Sequence, residues 1–257
     1  MNVCLPYTAY VNDVFRCLFH DVGLAFTQAP MPGKYTHEIG KIFAGGTLCP
    51  GLEAVLGSLC ECAYLGADTA MIFTPCGTCS EQRIRLKLTN CLEENGLTMH
   101  LVCIGAFAQG NKAFFRWVKE NSGRSPVEIW EAKRLFYDCM GSLERFLCLK
   151  QSAAEDENAK KYILTAEKEL AKAASLLRLK ALLNVFNKKL GTLCAREPVQ
   201  LVERREEPYA TGDYFSLAQT KSFYGFFEKP SRNRFGVTGA DYPLGETACR
   251  RQKGILL

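Results

Sequence analysis

Apolar residues in the first hundred positions follow two rhythms. Short apolar runs at residues 3–5, 24–27, 69–74 and 99–104 have strand character. Between them lie segments whose apolar residues recur every three to four positions. In residues 11–22, Val14, Phe15, Leu18 and Val22 share one helical face; in residues 52–65, Leu52, Leu56, Leu59 and Ala63 do so. Residues 34–43 carry a weaker helical pattern that Gly45-Gly46 breaks, and residues 80–95 run from a possible Ser80 cap to Gly96. Pro30 and Pro32 end the second run, and Gly66-Ala67-Asp68 separates a helix from the third. Strands alternating with helices through short turns predict a parallel sheet covered by helices. The expected fold class is α/β: a parallel-sheet, Rossmann-like N-terminal domain over residues 1–110, followed by a helical region.

The pattern changes near residue 110. Residues 111–190 contain no convincing strand, and residues 127–149 and 158–190 are long helical patterns separated by the polar stretch 151–157. Residues 171–177 are rich in strong helix formers. A helical region over residues 111–192 is expected, with residues 125–190 almost wholly helical and packed as an antiparallel pair or triplet. Residues 193–257 make a third unit, a partial α/β segment and tail. A strand at 199–202 resumes α/β structure, a turn follows near Gly212, and a loop-rich tail starts near Lys229.

Composition narrows the function classes. At 257 residues the chain has ample core for one large or two smaller domains. A net charge of +5 is spread over interspersed acidic and basic residues, which argues against a nucleic-acid stripe. No apolar stretch approaches the roughly 20 residues of a membrane span. The N-terminus lacks the basic and apolar regions of a secretion signal, so a cytoplasmic protein is expected. The 13 cysteines are odd in number and have no secretory context, which favours reduced thiols over a disulfide framework. Some would bind metal and most would fill the core, a usage that suits an anaerobic cell.

Cys76 and Cys79 carry the chemistry. They follow the apolar run 69–74, which Pro75 ends, in a turn that precedes a helix. Sites in open α/β sheets form at the carboxyl ends of strands, and a helix N-terminus favours the thiolate that binds metal. Cys49-Pro50 lies thirty residues before Cys79. Soft thiolates in this arrangement suit an iron–sulfur cluster; a single Cys-x-x-Cys beside a βαβ unit also suits a thioredoxin-like redox pair.

Cys49-Pro50, then Gly66-Ala67-Asp68 leading a hydrophobic strand, then Pro75-Cys76-Gly77-Thr78-Cys79 before a helix, resembles one family. It is similar to the 2-hydroxyacyl-CoA dehydratase, benzoyl-CoA reductase and double-cubane iron–sulfur superfamily, in its activase-related branch. The resemblance is clearest over residues 1–105, with an echo at Gly212 to Tyr214. It implies a cluster of the 4Fe-4S type with Cys49 and Cys79 as the matched ligands. It also implies low-potential electron transfer toward reduction or dehydration of a CoA thioester. The ATP-dependent step would belong to a separate activase partner. Ser80 stands where the family often has Arg, and Cys76 is an additional thiol. Family members take a further ligand from a second α/β domain, so Cys76, and after it Cys249 or a homo- or hetero-dimeric partner chain, is expected to complete the set Cys49, Cys76, Cys79. The alternative function is a non-catalytic iron–sulfur carrier or assembly protein, or a truncated cofactor-free family member.

Other residues have plainer readings. Cys60 and Cys62, two positions apart on a helix, are expected as one core and one surface thiol. Cys4, Cys17, Cys91, Cys103, Cys139, Cys148 and Cys194 are expected to fill the core. His20, His37 and His100 are isolated; His37 is the one nearest the cysteine turn. Glu53 would sit on the first turn of the helix that Cys49 opens, as a helix-dipole partner or a proton-transfer group. Arg83 and Arg85 have a solvated face as their default and an anionic CoA group as the functional alternative. Gly45-Gly46 matches no nucleotide-binding glycine pattern.

Overall fold

The computed structural model describes residues 1–7, 10–74, 81–105, 108–153 and 156–194. The strand at 199–202, the turn near Gly212, the tail from Lys229, the Ser80 cap, and Cys76, Cys79 and Cys249 lie outside the described residues.

Four strands form one all-parallel sheet: β1 (Asn2–Leu5), β2 (Ala25–Gln28), β3 (Thr69–Thr74) and β4 (His100–Gly105), in the order β2-β1-β3-β4. Val3 pairs with Phe26 on one side and Thr69 on the other, while Ala70 pairs with Leu101. The helices are α1 (Tyr10–Asp21), α2 (Lys34–Ala44), α3 (Pro50–Tyr64), α4 (Glu81–Glu94), α5 (Ala108–Ser122), α6 (Pro126–Ser152), α7 (Glu157–Ala171) and α8 (Leu176–Cys194). The expected mixed α/β class with a parallel sheet is therefore observed.

Both faces of the sheet are covered, which is why its strands are almost continuously apolar. The two-residue period sorts their side chains. Val3, Leu5 and Met71 join one core with α1, α5, α6, α7 and α8. Cys4, Ala70, Ile72 and Leu101 join a second core with α2, α3 and α4. The first core centres on Phe15, whose ring lies 5.2 Å from Phe136 and 5.7 Å from Phe114.

On the second face, α2 and α3 cross at backbone contact. A Cβ at Gly40 would lie 2.8 Å from the Glu53 carbonyl carbon and closer to its oxygen. One at Gly57 would lie 2.9 Å from the Thr36 carbonyl carbon. Only glycine fits at this crossing.

The helical region differs from expectation in two ways. Residues 108–122 form α5, anchored by the buried Phe114, Phe115 and Val118. The stretch 158–190 is two helices, with a turn at 172–175. α6 and α8 run in the same sense: Asp138 meets Lys180 at 2.7 Å and the Ser142 carbonyl meets Asn187 at 2.8 Å, both pairings ascending together. The intervening α7 returns the chain, so of the expected pair or triplet the sense of the helices is that of the triplet. α6 starts at Pro126 behind a capping box, Ser125 accepting from the Glu128 N–H while Glu128 accepts from Ser125. Among the described residues no helix is long and apolar enough to cross a membrane.

Candidate metal centre

Cys49 is placed by the ends of two helices. Gly45 closes α2 in the left-handed region, φ 53°, with its N–H on the Ile42 carbonyl, and Gly46 follows at φ 78°. The glycine pair is thus a helix stop. Lys87 of α4 donates to the Thr47 carbonyl at 3.1 Å, and buried Leu48 anchors the loop below. Cys49 is then the N-cap of α3, with Pro50 in its first turn. Its carbonyl accepts the N–H groups of Leu52 and Glu53 at 2.9 Å. Its thiol makes no capping hydrogen bond and is exposed.

The position of Cys49 against the sheet follows from contacts further along α3. At the far end, the Ala67 N–H bonds the Cys62 carbonyl and the Asp68 N–H bonds the Asn2 carbonyl, which sets that end at the amino edge of β1. Ser58 accepts from the N–H of Tyr7, just past the carboxyl end of β1, at 3.1 Å. Nine residues separate Ser58 from Cys49, so α3 continues about 13 Å beyond that edge. Cys49 stands over the carboxyl edge of the sheet, beside the point where β1 connects to β2 on one side while β3 lies on the other.

The remaining described cysteines have other roles. Cys60 and Cys62 are both fully buried, so the expected core-and-surface division is corrected. The cause is that α3 is enclosed on several sides: Cys62 hydrogen-bonds Cys4 of β1, while Cys60 lies near Cys91 of α4. Burial pushes the Cys60, Cys17 and Cys139 thiols up to about 12. The Cys4 thiol is raised by its bond to Cys62 and by burial. Cys17 and Cys139 donate to the carbonyls of Ala173 and Leu176, each at 3.2 Å. Cys148, expected in the core, is exposed, because Phe146 and Leu147 take the inward face of α6. Cys103 is half-buried. The side chain of Cys194 lies outside the described residues.

Glu53 is half-buried on the first turn of α3, with its backbone at the Gly40 crossing. His37 is half-buried on α2; His20 is an exposed neighbour of Asp21 and His100 is exposed at the start of β4. Arg83 and Arg85 are exposed on α4. Among the described residues no three of His, Cys, Asp or Glu are arranged to hold a metal ion. Of the expected ligands only Cys49 falls within that set, and an exposed free thiol fits the role. The placement of Cys76 and Cys79 relative to it lies outside the described residues.

A second polar cluster, absent from the sequence reading, stands at the head of α1 just after β1. The Tyr10 hydroxyl donates to Glu167 at 2.5 Å, and Lys150 donates to both Tyr10 and Glu167, at 2.5 and 2.6 Å. Burial and the Glu167 hydrogen bond push Tyr10 up to about 12, against the pull of Lys150. Asp13 pairs with Arg16 at 3.2 Å, and burial raises its carboxyl despite that cation. Arg16 also donates to the carbonyls of Ala171 and Ala173. Tyr10 and Glu167 are 157 positions apart, and no local pattern marks such a pair.

These features define an α/β protein with a four-stranded parallel sheet and an exposed thiol over its carboxyl edge. Compared with known protein families, characterised proteins and solved structures, the chain matches none.

Proposed function

We propose that this chain is an iron–sulfur protein of the 2-hydroxyacyl-CoA dehydratase type, built on a Rossmann-like sheet, with Cys49, Cys76 and Cys79 as cluster ligands. One observation carries the reading. Cys49 is exposed at the head of α3, over the sheet edge where β3 hands the chain to the segment bearing Cys76 and Cys79. Chain reach is compatible with it. Five residues lead from Thr74 to Cys79, a span of up to about 17 Å, against the roughly 13 Å by which α3 overshoots the edge. Sites in doubly wound sheets lie at this edge, beside the strand where the order reverses.

A bound cluster would supply low-potential electrons, and an iron left open by a three-thiolate site would act as a Lewis acid toward a substrate oxygen. The protein's part is to hold the thiolates and limit access. The buried thiols of α3 and β1 are engaged in packing, which leaves Cys49 as the one thiol of α3 offered to a ligand. In this reading the protein is cytoplasmic, receives electrons from an ATP-dependent activase, and completes its site from Cys76, Cys249 or a second chain.

Iron and sulfide analysis of anaerobically purified protein tests the proposal. Cys49→Ser and Cys79→Ser should each lose most of the iron, because hard oxygen replaces thiolate poorly. Cys60→Ser and Cys91→Ser should keep it. Equal iron in all four variants would refute the assignment. Cys76→Ser with full iron would move the third ligand to Cys249 or a partner chain.

A further inference from the structure

β2 forms one edge of the sheet, and among the described residues nothing pairs with its outer side. Its side chains are half-buried or exposed, whereas those of β1 beside it are almost all buried. Its sequence, Ala25-Phe26-Thr27-Gln28, carries none of the prolines or charges that blunt an edge strand. An edge of this kind is a template for one more strand.

The course of α8 shows which strand is offered to it. α1 runs from the carboxyl end of β1 to the amino end of β2 and packs on β2. α6 opposes α1, since Phe136 meets Phe15 and Phe146 meets Tyr10, and α8 runs with α6. The Leu176 N–H donates to Asp21 at the end of α1, so α8 begins at the amino edge of the sheet. Its 19 residues rise about 28 Å and carry the chain to the carboxyl edge. Five steps lead from Cys194 to Val199, at most about 17 Å, too short to return to the amino edge. A strand at 199–202 therefore enters from the carboxyl edge and runs antiparallel to the other four. Antiparallel edge strands on otherwise parallel sheets are common. Of the two open edges, that of β2 is the nearer, because α8 packs on α1 over β2 while α5 covers β4.

The segment suits an edge. Val199-Gln200-Leu201-Val202 is mostly apolar and half β-branched, and Pro198 stands at its start, where a strand tolerates proline. The charged run from Glu203 to Glu207 ends it. We propose that residues 199–202 dock as a fifth strand on the outer side of β2, antiparallel to it, and close that edge of the sheet. The pairing uses no residue of the cysteine site, so either reading can fail without the other.

Hydrogen exchange of the full-length protein, read by mass spectrometry on peptides covering residues 24–29, tests the pairing. Alternate amides of β2 face β1 and the outer side. In the wild type both sets should exchange at least about tenfold below the unstructured rate. Gln200→Pro and Leu201→Pro remove donors at adjacent positions, of which one turns toward β2. At least one of the two variants should release the outer amides of β2 by about tenfold or more, with the β1 and α1 peptides unchanged. Outer amides that exchange at the unstructured rate in the wild type would overturn the proposal, as would wild-type rates in both variants. Protection that rises with protein concentration and survives both substitutions would assign the edge to a second copy of the chain and overturn it too. If neither variant folds, the wild-type rates decide.

Discussion

Gly57→Ala should separate α2 from α3. The added Cβ would lie 2.9 Å from the Thr36 carbonyl carbon and 3.2 Å from the Gly40 nitrogen. The Thr36 carbonyl oxygen lies closer still, and non-bonded heavy atoms prefer roughly 3.5 Å or more, so the helices must part by more than about 1 Å. Both obstacles are backbone, which cannot swing aside as a side chain can. Overpacking of this kind costs about 1–3 kcal/mol, and rigid neighbours place it near the upper figure. Alanine returns about 1 kcal/mol through helix propensity. The net expectation is a loss of about 2 kcal/mol, a fall in Tm of about 4–8 °C for a chain of this size. Gly141→Ala is the matched control. It too is a helical glycine, but a Cβ there meets nothing within 4 Å, so propensity alone should make that variant as stable or more stable. Gly40→Ala should resemble Gly57→Ala, and the double variant should cost less than the sum, because the first substitution already opens the crossing. Thermal and urea melts followed by circular dichroism would report all four. A Gly57→Ala protein as stable as the wild type would refute the close approach of α2 and α3.

Tyr10 provides a test at alkaline pH. Its folded value of about 12 exceeds the free value of 10.0, so its contribution is complete below pH 10 and is lost as pH climbs toward 12. Lys150 is raised as well, burial being outweighed by its bonds to Glu167 and Tyr10, so it loses its contribution in the same direction. An absorbance titration should show a late phenol that Tyr10→Phe removes; a late phase of the same amplitude in wild type and Tyr10→Phe would contradict the cluster. Brief alkylation of metal-free native protein near pH 8, read by peptide mass spectrometry, should among the described cysteines label Cys49 and Cys148 first and spare Cys4, Cys17, Cys60 and Cys139 until unfolding. Cys60 reacting as fast as Cys148 would contradict its burial.

Much of the α/β layer was legible from local pattern. Apolar runs bounded by Pro and Gly located the four strands, because a parallel sheet buried on both faces needs continuous apolar residues. The 3.6-residue period and glycine stops located α1 to α4 to within one or two residues. The Cys49-Pro50 pair marked a helix start, since a proline without its N–H costs nothing in the first turn.

Contacts between distant segments decided the rest. Residues 171–177 favour helix throughout, yet the chain turns there. Arg16 and Cys17 bond the Ala173 carbonyl, and Asp21 accepts the Leu176 N–H at 2.9 Å. These groups from the end of α1 satisfy polar atoms that an unbroken helix would have used itself. The burial of both Cys60 and Cys62 required knowing that α3 has neighbours on several sides; the helical period alone assigns them to different faces. The same-sense pairing of α6 and α8 and the Tyr10–Lys150–Glu167 cluster each join positions tens of residues apart. Sequence by itself determined which segments of the α/β layer were strand and helix and where a cysteine would open a helix, because those depend on near neighbours along the chain. Tertiary structure decided which faces met and which polar groups were left facing one another, because burial is shared between elements that no local pattern pairs.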